Sequence, residues 1–311
     1  NSINRNALSE LLSYMAIFPP NSIYKGIYQL LPGHLIALDY PFNLDLPEPI
    51  QWWSFNQTIE SSFNSQIKDE SEAINLLENQ LIESIKRQTI SDVPLGCFLS
   101  GGIDSSLITS ILQTHSKNNI NTFTIGFEES GFNEAPFAKS VASYLGTNHN
   151  EMILTSKDAQ NLIPELSGLY SEPFADPSQL PTYLVCREAR NNGWKVALSG
   201  DGGDEIFCGY NRYLWGKRIW NKLSFMPWKI RNLLGRIILK LPIESLEGFS
   251  RILNINQLGY KSHKLAERLK YVRNEDDLYL SLLNQWNNLS VLIKDHQGLI
   301  DTPSTLVNEL P

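Results

Sequence analysis

The residues able to do chemistry lie in two short strings. Ser100 to Ser106 reads SGGIDSS and follows the apolar run Val93 to Leu99, VPLGCFL. A strand that runs through a Gly-Gly turn into a helix builds an anion site. The first helical N–H groups have no internal partner, and the helix dipole adds partial positive charge there. Gly101 and Gly102 carry no Cβ, so backbone can come close to a phosphate group. Ser100, Ser105 and Ser106 add hydroxyls. Asp104 is the odd member, because a carboxylate repels phosphate unless a cation sits between them. A hard divalent ion such as Mg²⁺ takes oxygen ligands from both. The string therefore reads as a seat for the phosphates of a nucleotide with metal. The plainer alternative, a Gly-Gly turn with Asp and Ser as helix caps, has the string's full length and its strand–helix setting against it. It is neither GxxxxGK followed by Ser or Thr, nor GxGxxG.

The second string, Ser199 to Tyr213, reads SGDGGDEIFCGYNRY and follows the short apolar strand Val196 to Ser199. Three acids, Asp201, Asp204 and Glu205, fall within five residues and among four glycines. Ligands of open α/β sheets bind at the carboxyl edge of the strands, where both strings sit. If the two strands are neighbours, Asp104 and Asp204 can share one or two Mg²⁺ ions and bridge a triphosphate. Structural capping of the turn remains the alternative for these acids.

The elements that must hold the strings alternate. Helical periodicity runs over Ser71 to Ile90, with Ile74, Leu77, Leu81 and Ile85 on one face and Glu83 paired to Arg87. Strand Val93 to Leu99, helix Ser105 to His115 and strand Thr122 to Phe127 follow. Ala138, Val141, Ala142 and Leu145 make a helical stripe that Gly146 ends. Glu151 to Leu154 reads as a short strand, Pro181 opens a helix, and Trp194 to Ser199 holds the next strand. This order predicts an α/β fold, a parallel sheet with helices on both faces, followed by a mainly helical C-terminal part after Tyr213.

Together the strings resemble the synthetase domain of the glutamine-dependent asparagine synthetases. There SGG(I/L)DSS is the pyrophosphate loop and SG(E/D)G(G/S/A)DE(L/V)FGGY the second signature. Cys208 stands where that family usually has glycine. TFTIGF (Thr122 to Phe127), LGTNHNE (Leu145 to Glu151) and EPFADPSQLPTYLVCREAR (Glu172 to Arg190) resemble further family segments. The resemblance implies an ATP-pyrophosphatase fold of the adenine nucleotide alpha-hydrolase type. It implies a ligase that amidates L-aspartate to L-asparagine through β-aspartyl-AMP, with ATP and Mg²⁺ and with glutamine or ammonia as nitrogen source. Phe98, Ser100, Gly101, Gly102, Asp104, Ser105, Ser106, Ile125, Ser199 and Gly200 are the implied ATP-binding residues, with Phe98 and Ile125 at the adenine. Asp104 and Asp204 are the implied metal ligands, and Asp201 and Glu205 the catalytic acids. Asp201 is a candidate proton acceptor for ammonia, or a turn cap. The alternatives are another amidotransferase of the same family, acting for example on a polysaccharide or secondary-metabolite precursor, and a non-catalytic nucleotide-binding fragment.

Leu8 to Asp39, with LLPGH its clearest match, resembles the end of the family's glutaminase half. Residues 1–55 are thus expected to be the remnant of that domain with its linker, marked by Pro41, Pro47 and Pro49. Residues 56–311 are expected to be the synthetase domain, cut short at its carboxyl end. The family's LPDDILVKVDRASMA-like segment, whose lysine lies near the phosphates, would begin about where Thr305 to Pro311 (TLVNELP) ends the chain. A chain ending there is expected to bind nucleotide yet form little asparagine.

Bulk properties bound the partners. The net charge of −7 argues against nucleic acid, which favours a basic surface. Three cysteines, Cys97, Cys186 and Cys208, in no CxxC spacing fit free thiols in a reducing cytoplasm. No uninterrupted apolar run is long enough to span a bilayer, so no membrane partner is expected; the resemblance implies small-molecule substrates, with room for a homodimer. Lys229 to Leu253 reads as an amphipathic helix, either on a membrane surface or facing the core; the core is the expectation, and Trp215, Trp220 and Trp228 are read the same way. His149, in the LGTNHNE segment, is read as a hydrogen-bonded structural residue at least as readily as a functional one.

Overall fold

The computed structural model describes residues 2–41, 47–128, 133–248, 250, 257–286 and 289–294, apart from the side chain of Trp215. Thr305 to Pro311 lie outside the described residues, and so does the end of the expected Lys229 to Leu253 helix. The chain divides into two compact units, one of Asn1–Trp53 with Tyr210–Pro311, the other of Ser54–Gly209.

In the first unit Asn4 caps helix Arg5–Tyr14, its side-chain oxygen accepting the N–H groups of Asn6 and Ala7. The buried carboxylate of Glu10 accepts the Phe18 N–H at 3.0 Å and an Asn21 side-chain N–H at 2.6 Å, which ties the following turn to the helix. Strands β1 (His34–Leu35) and β2 (Ile50–Gln51) pair antiparallel. The rest is helical, as expected after Tyr213: Asn211–Leu223, Trp228–Lys240, Ile243–Glu247, Leu258–Tyr271 and Glu275–Leu283. Helix 228–240 packs on helix 258–271 through Gly235, where a Cβ would come within 2.6 Å of the Ala266 carbonyl oxygen. Arg231 and Gly235 are buried in that contact, whereas Ile230, Leu233, Leu234, Ile237 and Leu241 are exposed. The core-facing expectation for this segment therefore holds for one face only. Its sequence has two low-polarity faces, and the helix buries the one whose glycine lets a neighbour approach.

The second unit carries a four-stranded sheet: β3 (Leu95–Phe98), β4 (Asn121–Phe127), β5 (Asn148–Leu154) and β6 (Val196–Leu198), in the order β5-β4-β3-β6. Every neighbouring pair is parallel. β5 is longer than its expected Glu151 to Leu154 because it pairs with β4 along its whole length, from Asn121↔Asn148 to Phe127↔Leu154. Alternate residues of β3 point to opposite faces. Cys97 packs with Ile85, Ile111, Leu112 and Leu198 under helices Glu70–Gln88 and Ile103–His115, and Leu99 packs with Ala138 and Ala142 of helix Ala135–Leu145. Phe98, on the other face, joins Phe123, Ala189 and Trp194 under helix Gln179–Asn191. Gly96 is required there, since a Cβ would meet the Trp194 ring at 2.5 Å. Helix 70–88 buries Ile85, but Ile74 and Leu77 at its start stay exposed, and Glu83 pairs with Lys86 at 3.3 Å rather than with Arg87. Among the described residues, no helix is long and apolar enough to cross a membrane.

His149 on β5 is a structural residue by its contacts. Its Nδ1 lies 3.0 Å from the Thr122 hydroxyl, which lies 2.8 Å from the Thr147 hydroxyl, and its Nε2 is buried without a partner. Burial holds its pKa below the usual 6.5; Glu151 opposes this and Lys139 adds to it. The neutral ring is thus favoured in the folded state. Its contribution to stability is present above about pH 6.5 and is lost as pH falls through the lower folded-state value. The thermal midpoint should drop between about pH 7 and 5.5, and His149→Gln should flatten that drop. An unchanged pH profile in the variant would show that His149 does not carry the effect.

Candidate nucleotide site

β3 and β6 are hydrogen-bonded neighbours, with Gly96↔Ala197 and Cys97↔Leu198 in register. The chain leaves β3 for β4 and β5 on one side and returns to β6 on the other, so the point where strand order reverses lies between β3 and β6. That crevice is where open α/β sheets bind ligands. Both glycine-rich strings emerge there.

After β3 the backbone turns through Gly101, whose φ of +82° suits glycine, and enters helix 103–115 at Gly102. A Cβ on Gly101 would sit 2.7 Å from the Ala138 N–H nitrogen, so the loop is clamped against the start of helix 135–145. Phe137 and Ala138 are thus part of the site's wall. In the sequence Ala138 reads only as part of a helical stripe, because nothing in the string itself reports a tertiary neighbour. The Ser100 and Ser105 hydroxyls lie 2.9 Å apart, and the Gly102 N–H donates to Ser100 Oγ at 3.1 Å. These bonds fix the loop. Gly102 offers no side-chain cap to the helix, so its first N–H groups have no side-chain acceptor. The Ser106 hydroxyl is buried and has no partner. Orphan donors on one helix start are what a phosphate would satisfy.

The loop after β6 comes directly against this helix. A Cβ on Gly200 would lie 2.8 Å from the Ser105 nitrogen, and one on Gly203 would lie 2.6 Å from the carboxylate carbon of Asp104. Asp104 therefore faces the acidic loop across the crevice. Asp204 lies in the first turn of the short helix Gly203–Ile206, and its carboxylate lies against Gly209, whose N–H donates to the Asp204 carbonyl at 3.0 Å. Ser199 donates its hydroxyl to Asp201 Oδ2 at 2.9 Å and accepts the Asp201 N–H at 3.4 Å. Glu205 is exposed. Cys186, on helix 179–191, has its thiol pKa raised by burial and then by the charge of Asp201. Its sequence signal was its place in the EPFADPS-containing segment, where the related family carries serine.

Phe98 and Ile125 share one sheet face, and each is partly buried against a core cluster. Phe98 packs with Phe123 and Trp194, and Ile125 with Leu154, Leu162 and Leu184. Among the described residues no group of three or more His, Cys, Asp or Glu side chains could hold a metal ion.

Cys208 has φ +56°, in the left-handed region. An L-residue there costs about 1–2 kcal/mol, against about 0.5–1 kcal/mol of extra chain entropy lost by glycine. Cys208→Gly should raise stability by about 0.5–1 kcal/mol in denaturant unfolding, and Cys208→Val should lower it. Equal stability of all three would mean that this turn relaxes on substitution.

The asparagine synthase family profile matches residues 76–303. The chain belongs to the asparagine synthase family. An asparagine synthetase [glutamine-hydrolyzing] 1 of Bacillus subtilis is 31% identical over 68% of this chain and 32% of its own length. A putative asparagine synthetase [glutamine-hydrolyzing] 2 of Methanocaldococcus jannaschii is 34% identical over 81% of this chain and 46% of its own. A putative asparagine synthetase of Mycobacterium bovis is 36% identical over 80% and 37%. The chain therefore spans less than half the length of these relatives. A solved NH3-dependent NAD synthetase from Campylobacter jejuni superposes with a TM-score of 0.30 at 15% identity, over 47% of this chain and 62% of that one, a slight likeness.

Proposed function

We propose that the Ser54–Gly209 unit binds ATP at the β3/β6 crevice and serves the ATP-dependent step of asparagine formation. The observation that carries this reading is the approach of Gly200 and Gly203 to Ser105 and Asp104, which sets an acidic loop against a helix start with orphan donors. Family membership supports the same reading.

In this reading the first N–H groups of helix 103–115 and the Ser106 hydroxyl bind the phosphates. Asp104 and Asp204 would hold Mg²⁺, whose charge offsets that of the phosphates. The β-carboxylate of L-aspartate attacks the α-phosphorus, and the bond to pyrophosphate breaks. This gives the carbonyl a good leaving group, AMP. Ammonia then forms the C–N bond, AMP departs, and a nitrogen-bound proton passes to a base, for which Asp201, oriented by Ser199, is the candidate. Glu205 lies on the same loop. Phe98, Ile125, Ser199 and Gly200 border the nucleotide. The LLPGH-containing segment supports reading residues 1–55 as the end of a glutaminase half that supplies ammonia.

The test is dependence rather than rate. With ATP, Mg²⁺ and ammonium, AMP and pyrophosphate should form when L-aspartate is present and not with L-glutamate in its place. Release that ignores both amino acids, or that prefers another acid, would assign a different acceptor.

A further inference from the structure

We propose that the exposed apolar stripe of helix 228–240 docks on an anionic lipid surface. This chain carries a net charge of −7, yet it has no acidic residue between Ile206 and Ile243. Helix 228–240 (WKIRNLLGRIILK) has four basic residues, and the helix packed on it, 258–271, has four more against one acid, Glu267. The charge that opposes the rest of the molecule is therefore concentrated in helices 211–223, 228–240 and 258–271.

The apolar residues of helix 228–240 are arranged to use it. At about 100° per residue, Leu233, Ile237, Ile230, Leu241 and Leu234 form one continuous stripe, and Lys240, Lys229 and Arg236 border it along one side. All eight side chains are exposed, Leu233 at 58% and Ile230 and Ile237 at 49% each. The opposite face, with Arg231 and Gly235, is occupied by helix 258–271. An amphipathic helix of this kind, with apolar residues flanked by cations able to reach phosphate groups, lies in the plane of a bilayer interface. A nucleic-acid partner would use the cations but leave five aliphatic side chains in water. A lipid surface takes both. The helix lies on the surface in this arrangement and does not span it.

The test is sedimentation of the full chain with vesicles of phosphatidylcholine alone and of phosphatidylcholine mixed with phosphatidylglycerol. Binding should require phosphatidylglycerol and should be lost at high salt. Replacing Lys229, Arg236 and Lys240 by Gln together should weaken partitioning on the order of 100-fold. The pair Leu233→Ser and Ile237→Ser, which keeps every charge, should weaken it by about 10-fold or more. Unchanged circular dichroism and melting would show that both variants fold. No phosphatidylglycerol-dependent binding, or binding that both variants retain, overturns the proposal. So does a lipid-free dimer that the serine pair dissolves, which would assign the stripe to a second copy, or duplex DNA bound in preference to vesicles.

Discussion

Asp104→Asn should weaken Mg²⁺·ATP binding by on the order of 10- to 100-fold and, with Mg²⁺ chelated, should leave ATP binding unchanged or tighter. The opposite signs follow from the location of this carboxylate in the first turn of helix 103–115, facing Gly203. Without a cation, its charge repels the phosphates that the helix start attracts. With one, it becomes a ligand. Isothermal titration of the chain with ATP, in Mg²⁺ and in chelator, reads both arms. A variant that loses affinity equally in the two conditions would show that Asp104 acts through structure rather than through a bound ion. Asp204→Asn should repeat the pattern if both carboxylates serve one cation cluster.

Gly200→Val should cost more in ATP affinity than in stability. Its first added carbon alone would stand 2.8 Å from the Ser105 nitrogen and 3.0 Å from the Asp104 carbonyl carbon. Both are backbone atoms of a helix start and cannot rotate aside. The two loops must separate, at a cost of about 1–3 kcal/mol for such overpacking. Separation moves the acidic loop away from the orphan donors, so ATP affinity should fall by about 10-fold or more, beyond the loss in unfolding free energy. A variant with wild-type affinity would mean that the approach of the loops is not needed for binding.

The two strings of the candidate site are legible in the sequence because each joins glycines and acids at the carboxyl end of a strand. The alternation of strands and helices was equally plain. What no string reports is adjacency. That β6 lies beside β3, and that helix 135–145 presses on Gly101, are decided by packing between distant segments. Phe98 and Ile125, adenine contacts by resemblance, are partly buried against core clusters, and no string reports how much of each side chain stays open. Helix 228–240 was read by its apolar count. The count could not tell which face a neighbour takes, and Gly235 decided that. The left-handed backbone at Cys208 was signalled only by the glycine expected there.

The strand order also sets a schedule. β3 finds β4 early, across a single helix, but its other edge waits for β6, which follows nearly all the rest of the unit in sequence. Until then an apolar strand presents unpaired N–H and C=O groups to any chain that meets it. Long-range parallel pairing of this kind is slow to form. A nascent or truncated chain ending before Val196 would therefore be a sticky species, and recognition of nucleotide, which needs both loops, would report that the last strand has been placed.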